Sequence, residues 1–86
     1  MCPMIAAPQC RAARALLDWT QQDLAERAGV GIVTVRQFEA AIHKPRRATI
    51  EVIERALETG GVEFIRPNGG GPGVRLRKAQ QQGKRR

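Results

Sequence analysis

Residues 20–39, Thr20-Gln-Gln-Asp-Leu-Ala-Glu-Arg-Ala-Gly-Val-Gly-Ile-Val-Thr-Val-Arg-Gln-Phe-Glu39, decide the fold of this chain. They read as two short helices joined by a tight turn. Thr20 is placed to cap the first, with Asp23 three residues later for the reciprocal half of the cap. Leu24, Ala25 and Ala28 then fall on one helix face. Gly29 follows, the residue that takes the left-handed backbone a sharp helix exit requires. Val30 opens the next apolar set, and Val35 and Phe38 repeat at helical spacing on the inner face of the second helix. The small Ala25 suits two helices that cross steeply at close range.

Working outward, Met1 to Pro8 is short, punctuated by proline and expected to be irregular. From Gln9 to Asp18 the apolar positions Ala12, Ala13, Leu16 and Leu17 suggest a helical stripe, and Trp19 suits an anchor between the first and second helices. Ala40 to Pro45 is a connector, since a residue preceding proline is disfavoured in helix. Arg47 to Thr59 reads as a fourth helix, with Ile50, Ile53, Ala56 and Leu57 on one face and Gly60-Gly61 as its stop. Beyond Gly61 the period becomes alternating. Val62-Glu63-Phe64-Ile65 and Val74-Arg75-Leu76-Arg77 look like two strands with a Gly-rich connection. Lys78 to Arg86 is polar and basic, has nothing to bury, and is expected to be disordered. The expectation is an all-α core of four helices with a C-terminal β-hairpin and a disordered basic tail. Its bounds are 1–8 for the irregular N-terminus, 9–60 for the helical domain, 61–77 for the hairpin and 78–86 for the tail.

Eighty-six residues permit one small domain, in which apolar burial only just outweighs chain entropy. With 42% hydrophobic but only 3% aromatic residues, its core must be aliphatic and rich in alanine. The net charge of +7 is unevenly placed. All eight acidic residues lie before Arg66 and are matched there by as many basic ones, so the excess belongs wholly to the segment from Arg66 onward. Within the domain the relevant signal is local: Arg36, Lys44, Arg46 and Arg47 cluster around the second helix of the central pair.

Other chemistries find little support. Cys2 and Cys10 lack metal-ligand spacing and read as reduced thiols. The single His43 stands in a connector, and Asp18 and Asp23 match no metal loop. Gly69-Gly70-Gly71 is followed by no P-loop Lys-Ser/Thr. No apolar run approaches the roughly 20 residues of a membrane span. The expectation is a cytoplasmic protein with no catalytic residues, no metal and no cofactor.

The central stretch resembles the phage-repressor-like helix-turn-helix family, the XRE or Cro/repressor type. The family pattern is Ser/Thr-Gln-x-x-Leu-Ala-x-x-x-Gly-Val-Ser-x-x-x-Ile-x-x-Ile/Phe-Glu. This chain matches it at Thr20, Gln21, Leu24, Ala25, Gly29, Val30, Val35, Phe38 and Glu39. The likeness extends upstream through Arg14 to Trp19 and downstream through Pro45 to Thr59, roughly residues 9–60. It departs at Gly31, where the family has a capping serine, and at Ile32 and Val33, where polar residues are usual. The resemblance implies that the second helix lies in the DNA major groove. It also implies that Arg14 and Glu39 form a largely buried structural ion pair.

A helix so placed offers Ile32, Val33, Arg36 and Gln37 to the bases. Arg36 suits guanine O6 and N7, and Gln37 suits adenine N6 and N7. Val33 can meet a thymine methyl; Ile32 can do the same or pack under the turn. Gln21, Gly31, Thr34, Lys44, Arg46 and Arg47 are the expected phosphate contacts, which give affinity and register but no sequence information. Val62, Phe64 or Ile65, and Val74 and Leu76 give the hairpin an apolar face, and these five residues are the expected dimer contact. The expected function is a transcription regulator, a repressor binding double-stranded DNA at an inverted repeat as a homodimer. Two other uses of the same fold stay open: the antitoxin of a toxin–antitoxin pair, and an antiactivator that binds a regulator protein rather than DNA.

Overall fold

The computed structural model describes residues 5–65 and 71–77. Four helices, α1 (Ala7–Leu17), α2 (Gln21–Ala28), α3 (Ile32–Glu39) and α4 (Arg47–Gly60), precede a hairpin of β1 (Val62–Ile65) and β2 (Gly73–Leu76). The segment after Arg77, with its expected disorder, lies outside the described residues.

The local signals around the central pair are realised in detail. Thr20 Oγ1 accepts from the Asp23 backbone N–H at 3.0 Å, and Asp23 Oδ2 accepts from the Thr20 N–H at 2.9 Å. This reciprocal cap satisfies two helix-end groups that would otherwise be orphaned. Asp23 titrates below the usual carboxylate range because the Thr20 backbone donates to it. Gly29 closes α2 at φ +73°, a region nearly free of cost only for glycine.

The first helix differs from expectation in extent and in rotation. It starts at Ala7, two residues earlier, and Ile5 ahead of it is buried in the core. Its inward face is Gln9, Cys10 and Ala13, with Leu17 packed against the core. Ala12 and Leu16, expected inside, are exposed. The polar groups explain the roll. The Gln9 amide donates to the carbonyls of Gly73 at 3.0 Å and Ile65 at 3.5 Å, and its Oε1 accepts from the Ala6 N–H. Arg14, five residues on, must meet Glu39. Satisfying both turns Leu16 outward, because an unpaired buried polar group costs more than one exposed leucine.

Leu24, Val35, Ile50, Ile53, Leu57 and Val62 form the fully buried centre. The α1–α2 turn is pinned to the end of α4. A Cβ at Gly60 would lie 2.6 Å from Trp19 Cζ2, so the indole sits where only glycine leaves room. Trp19 thus anchors the turn on α4 as well as packing beside the first two helices.

The hairpin is antiparallel, pairing Val62 with Leu76, Glu63 with Arg75, Phe64 with Val74 and Ile65 with Gly73. Side chains opposite one another share a face. Val62, Phe64, Val74 and Leu76 therefore form one side, and that side is turned onto the helices: Val62 is fully buried, and Phe64 and Val74 pack against the core. The other side carries the Glu63–Arg75 ion pair at 3.0 Å. Arg77 closes the open end, its N–H donating to the Gly61 carbonyl and its guanidinium to the carbonyls of Glu58 and Val62. Most of the apolar face is therefore covered by the chain's own helices. Burying it inside the chain removes more apolar surface from water than an isolated hairpin could hide, and it leaves Val62 no surface to offer a partner.

Candidate nucleic-acid interface

The candidate interface centres on α3, whose position is set from within. Val35 and Phe38 are buried, and Glu39 at its end is 3% exposed. A buried carboxylate needs partners, and Glu39 has four side chains or backbone groups around it. Arg14 grips it bidentately, Nε to Oε2 at 2.7 Å and Nη2 to Oε1 at 2.8 Å. Gln21 Nε2 donates to Oε1 at 3.0 Å, and the Cys10 thiol donates to Oε2 at 3.2 Å. Arg11 donates to the Glu39 backbone carbonyl. Arg14 also donates to the Trp19 carbonyl at 3.0 Å, tying the α1–α2 turn into the same cluster.

Burial alone would raise the Glu39 pKa, but the hydrogen bonds from Arg14, Gln21 and Cys10, with the Arg14 charge, outweigh it and hold the carboxyl below its usual range. The hydrogen bond to Glu39 holds Arg14 above its ordinary value. Burial, reinforced by the Glu39 charge, pushes the Cys10 thiol far up, so it stays a neutral donor. The pair matters to the neighbouring surface. A naked carboxylate at the end of α3 would repel a polyanion; paired with Arg14, it does not.

On the outer side of α3, Val33 is 55% exposed and Arg36 and Gln37 are exposed beside it. Among the described residues no side chain pairs with Arg36 or Gln37. Ile32 instead is half-buried and packed against the core, the less exposed of its two expected roles. Gly31 caps α3 with extended backbone and no side-chain bond. A Cβ there would meet nothing within 4 Å, so steric room is not why glycine stands here. Its effect is to leave the N–H groups of Ile32 and Val33 without a side-chain cap, where an anion can approach them.

Thr34 and Gln37 of α3 face Pro45, Arg46 and Thr49 of the loop and α4, with His43 between them, around a cleft of about 310 Å³. No acidic side chain lines it. His43, read from the sequence as a solvated connector residue, belongs to this cleft; its place in a short loop beside Lys44 and Arg46 was the available signal. Lys44 does not join it. With His43, which the two share, it borders an adjoining groove lined by Ile5, Ala6, Ala7, Phe38 and Ala41. Arg47 is exposed and lies 3.9 Å from Glu51, a loose i,i+4 pair. Gln21 has one amide donor committed to Glu39, so a phosphate contact by that side chain must use its second. Of the expected phosphate side chains, Thr34 and Arg46 thus line the cleft, while Gln21, Lys44 and Arg47 stand outside it.

Among the described residues no helix is long and apolar enough to cross a membrane, and no group of three or more His, Cys, Asp or Glu is disposed to hold a metal. Comparison with curated proteins yields no match. The family model described as helix-turn-helix matches residues 11–64, from the first turns of α1 to the third residue of β1 and well over half the chain. With its capped α2, glycine turn and exposed α3, the chain belongs to the XRE-type helix-turn-helix family of DNA-binding transcription regulators.

Proposed function

We propose that this regulator is a sequence-specific repressor that binds an inverted repeat as a homodimer. The observation that carries the reading is the free outer face of α3: Val33, Arg36 and Gln37 exposed, beside a cleft without acids. In the major groove these three side chains meet base edges, with Ile32 contributing only its uncovered part. The bare N–H groups after Gly31, and Thr34, Arg46, Arg47 and Lys44, hold the flanking phosphates, with Gln21 adding its second donor. One such head reads only a few base pairs. A two-fold pair doubles the information, with heads about 34–36 Å apart, one turn of DNA.

Residues 9–60 act as the reading unit and 61–77 as the element that joins two copies. What supports the hairpin in that role is its open strand edge and Leu76, which stays 42% exposed; an unpaired edge is a pairing template. Ile65 adds to the contact, while Val62, Phe64 and Val74 serve it indirectly by fixing the hairpin to the helices. Selection of bound sequences from random DNA tests the whole reading. A two-fold symmetric consensus is the expected result; enrichment of a single asymmetric half-site overturns the dimer, and no enrichment overturns sequence-specific binding.

A further inference from the structure

Between α2 and α4 lies a groove of about 470 Å³ that none of the preceding functions uses. Its apolar lining is Ala28, Val52 and Ala56, and its rim is Arg27, Arg55 and Thr59. On α4 Val52, Arg55 and Thr59 follow the spacing of one outward helix face, and Ala56, half-buried and packed against the core, forms its inner edge. Arg27 is held at the rim by stacking on Trp19, its guanidinium carbon 4.4 Å from the ring centroid. Both charged residues of the lining are arginines, and no acid lines the groove.

We propose that this groove docks an amphipathic helix of a partner protein, one that carries carboxylates on either side of small apolar anchors. The shape is that of helix-in-groove recognition, in which alternate turns of the ligand helix drop apolar side chains into a shallow trough. The charge selects the occupant. A second copy seated here across a two-fold axis would set Arg27 and Arg55 of one protomer against the same residues of the other, and like charges in an interface are strongly disfavoured. Nucleic acid supplies negative charge but nothing to cover Val52 and Ala56. An acidic helix satisfies both the rim and the floor. The groove shares no residue with the cleft at α3, so the partner can be held while DNA is bound.

The test uses the full isotope-labelled chain, free and bound to its selected duplex, titrated with two designed helical peptides of identical apolar pattern. One carries glutamates beside the anchors and the other lysines. The expected result is saturable shifts of the Ala28, Val52 and Ala56 amides with the glutamate peptide in the DNA-bound state. Binding of the lysine peptide should be weaker by about tenfold or more, the scale of mismatched interface charge. Arg55→Glu and, separately, Arg55→Ala should weaken the glutamate peptide while leaving operator affinity unchanged. Equal response to both peptides, shifts confined to α3 or the basic C-terminal segment, or no saturable shift each overturn the proposal. If no duplex is selected, the titration of the free chain still decides the groove, so its failure is distinct from failure of the DNA reading.

Discussion

Glu39 shows how a single side chain sets the position of a helix, here α3. Removing it strands Arg14 and leaves Gln21 and Cys10 without their acceptor. Glu39→Ala is expected to cost about 3–5 kcal/mol, the usual penalty for breaking a buried pair, whereas Glu51→Ala, on an exposed loose pair, should stay within about ±0.5 kcal/mol. A double-mutant cycle with Arg14 should give coupling well above the roughly 0.2–1 kcal/mol of exposed pairs; denaturant melts of the four proteins check both. Because the folded pKa of Glu39 is depressed, its contribution is fully present above the unfolded glutamate value of about 4.3. It is lost as pH falls through the lower folded value, so the gap between wild type and Glu39→Ala should narrow in acid. Two glycines make a second comparison. Gly60→Ala drives a methyl into the Trp19 ring and should cost about 1–3 kcal/mol by overpacking. Gly31→Ala meets open space and should cost only what a poorer N-cap costs, about 0.5–1 kcal/mol. Thermal melts separate the two. For recognition, Arg36→Ala and Gln37→Ala should each weaken the selected site by about 1–3 kcal/mol and relax base preference, whereas Arg46→Ala should weaken all sequences alike and lower the salt slope by about one unit. Binding isotherms across salt concentrations and sequences check the division.

Among the elements, α1 and the hairpin depend on one another. Gln9 of α1 bonds across to Ile65 and Gly73, on the two paired strands, and Val62 lies in the same core as Cys10 and Ala13. The helices and the hairpin therefore share one core. Truncation after Ile65 removes β2, the Gly73 carbonyl and the cover that Val74 gives the core. It should lower the melting temperature by several degrees, since about 1 kcal/mol shifts the midpoint of a domain this size by roughly 4–8 °C. Circular dichroism melts of the full and truncated chains measure it. An unchanged midpoint would mean that the hairpin merely rests on the helices.

For the proposed homodimer the question is how two copies would be joined. The hairpin's inward roll leaves Leu76, Ile65 and the open strand edges as what it can offer a second copy. Leu76→Lys places a charge at the proposed contact without entering the core, so it should shift the chain toward monomer and weaken the inverted repeat far more than a half-site. Sedimentation equilibrium of wild type and variant checks this. A dimer unchanged by Leu76→Lys would move the interface to the helices, where Leu16 is one exposed apolar residue.

Local chemistry made most of this protein legible in its sequence. The Thr20–Asp23 cap, the Gly29 exit, the inward Val35 and Phe38 and the long apolar face of α4 each depend on residues within one or two turns, so spacing alone reveals them. The outward Arg36 and Gln37 follow from the same periodicity, and the Arg14–Glu39 pairing was suggested by family likeness. Tertiary structure decided what depends on partners far away in the chain. The roll of α1 is set by Gln9 reaching residues 65 and 73 and by Arg14 reaching residue 39. The apolar residues of the hairpin mark a buried face, but alternation is the same whether the cover is another protomer or the chain's own helices. Gln21 is a first-turn polar residue in sequence and a ligand of a buried carboxylate in space. Periodicity says which residues share a face; the pairing of buried polar groups decides where that face is turned.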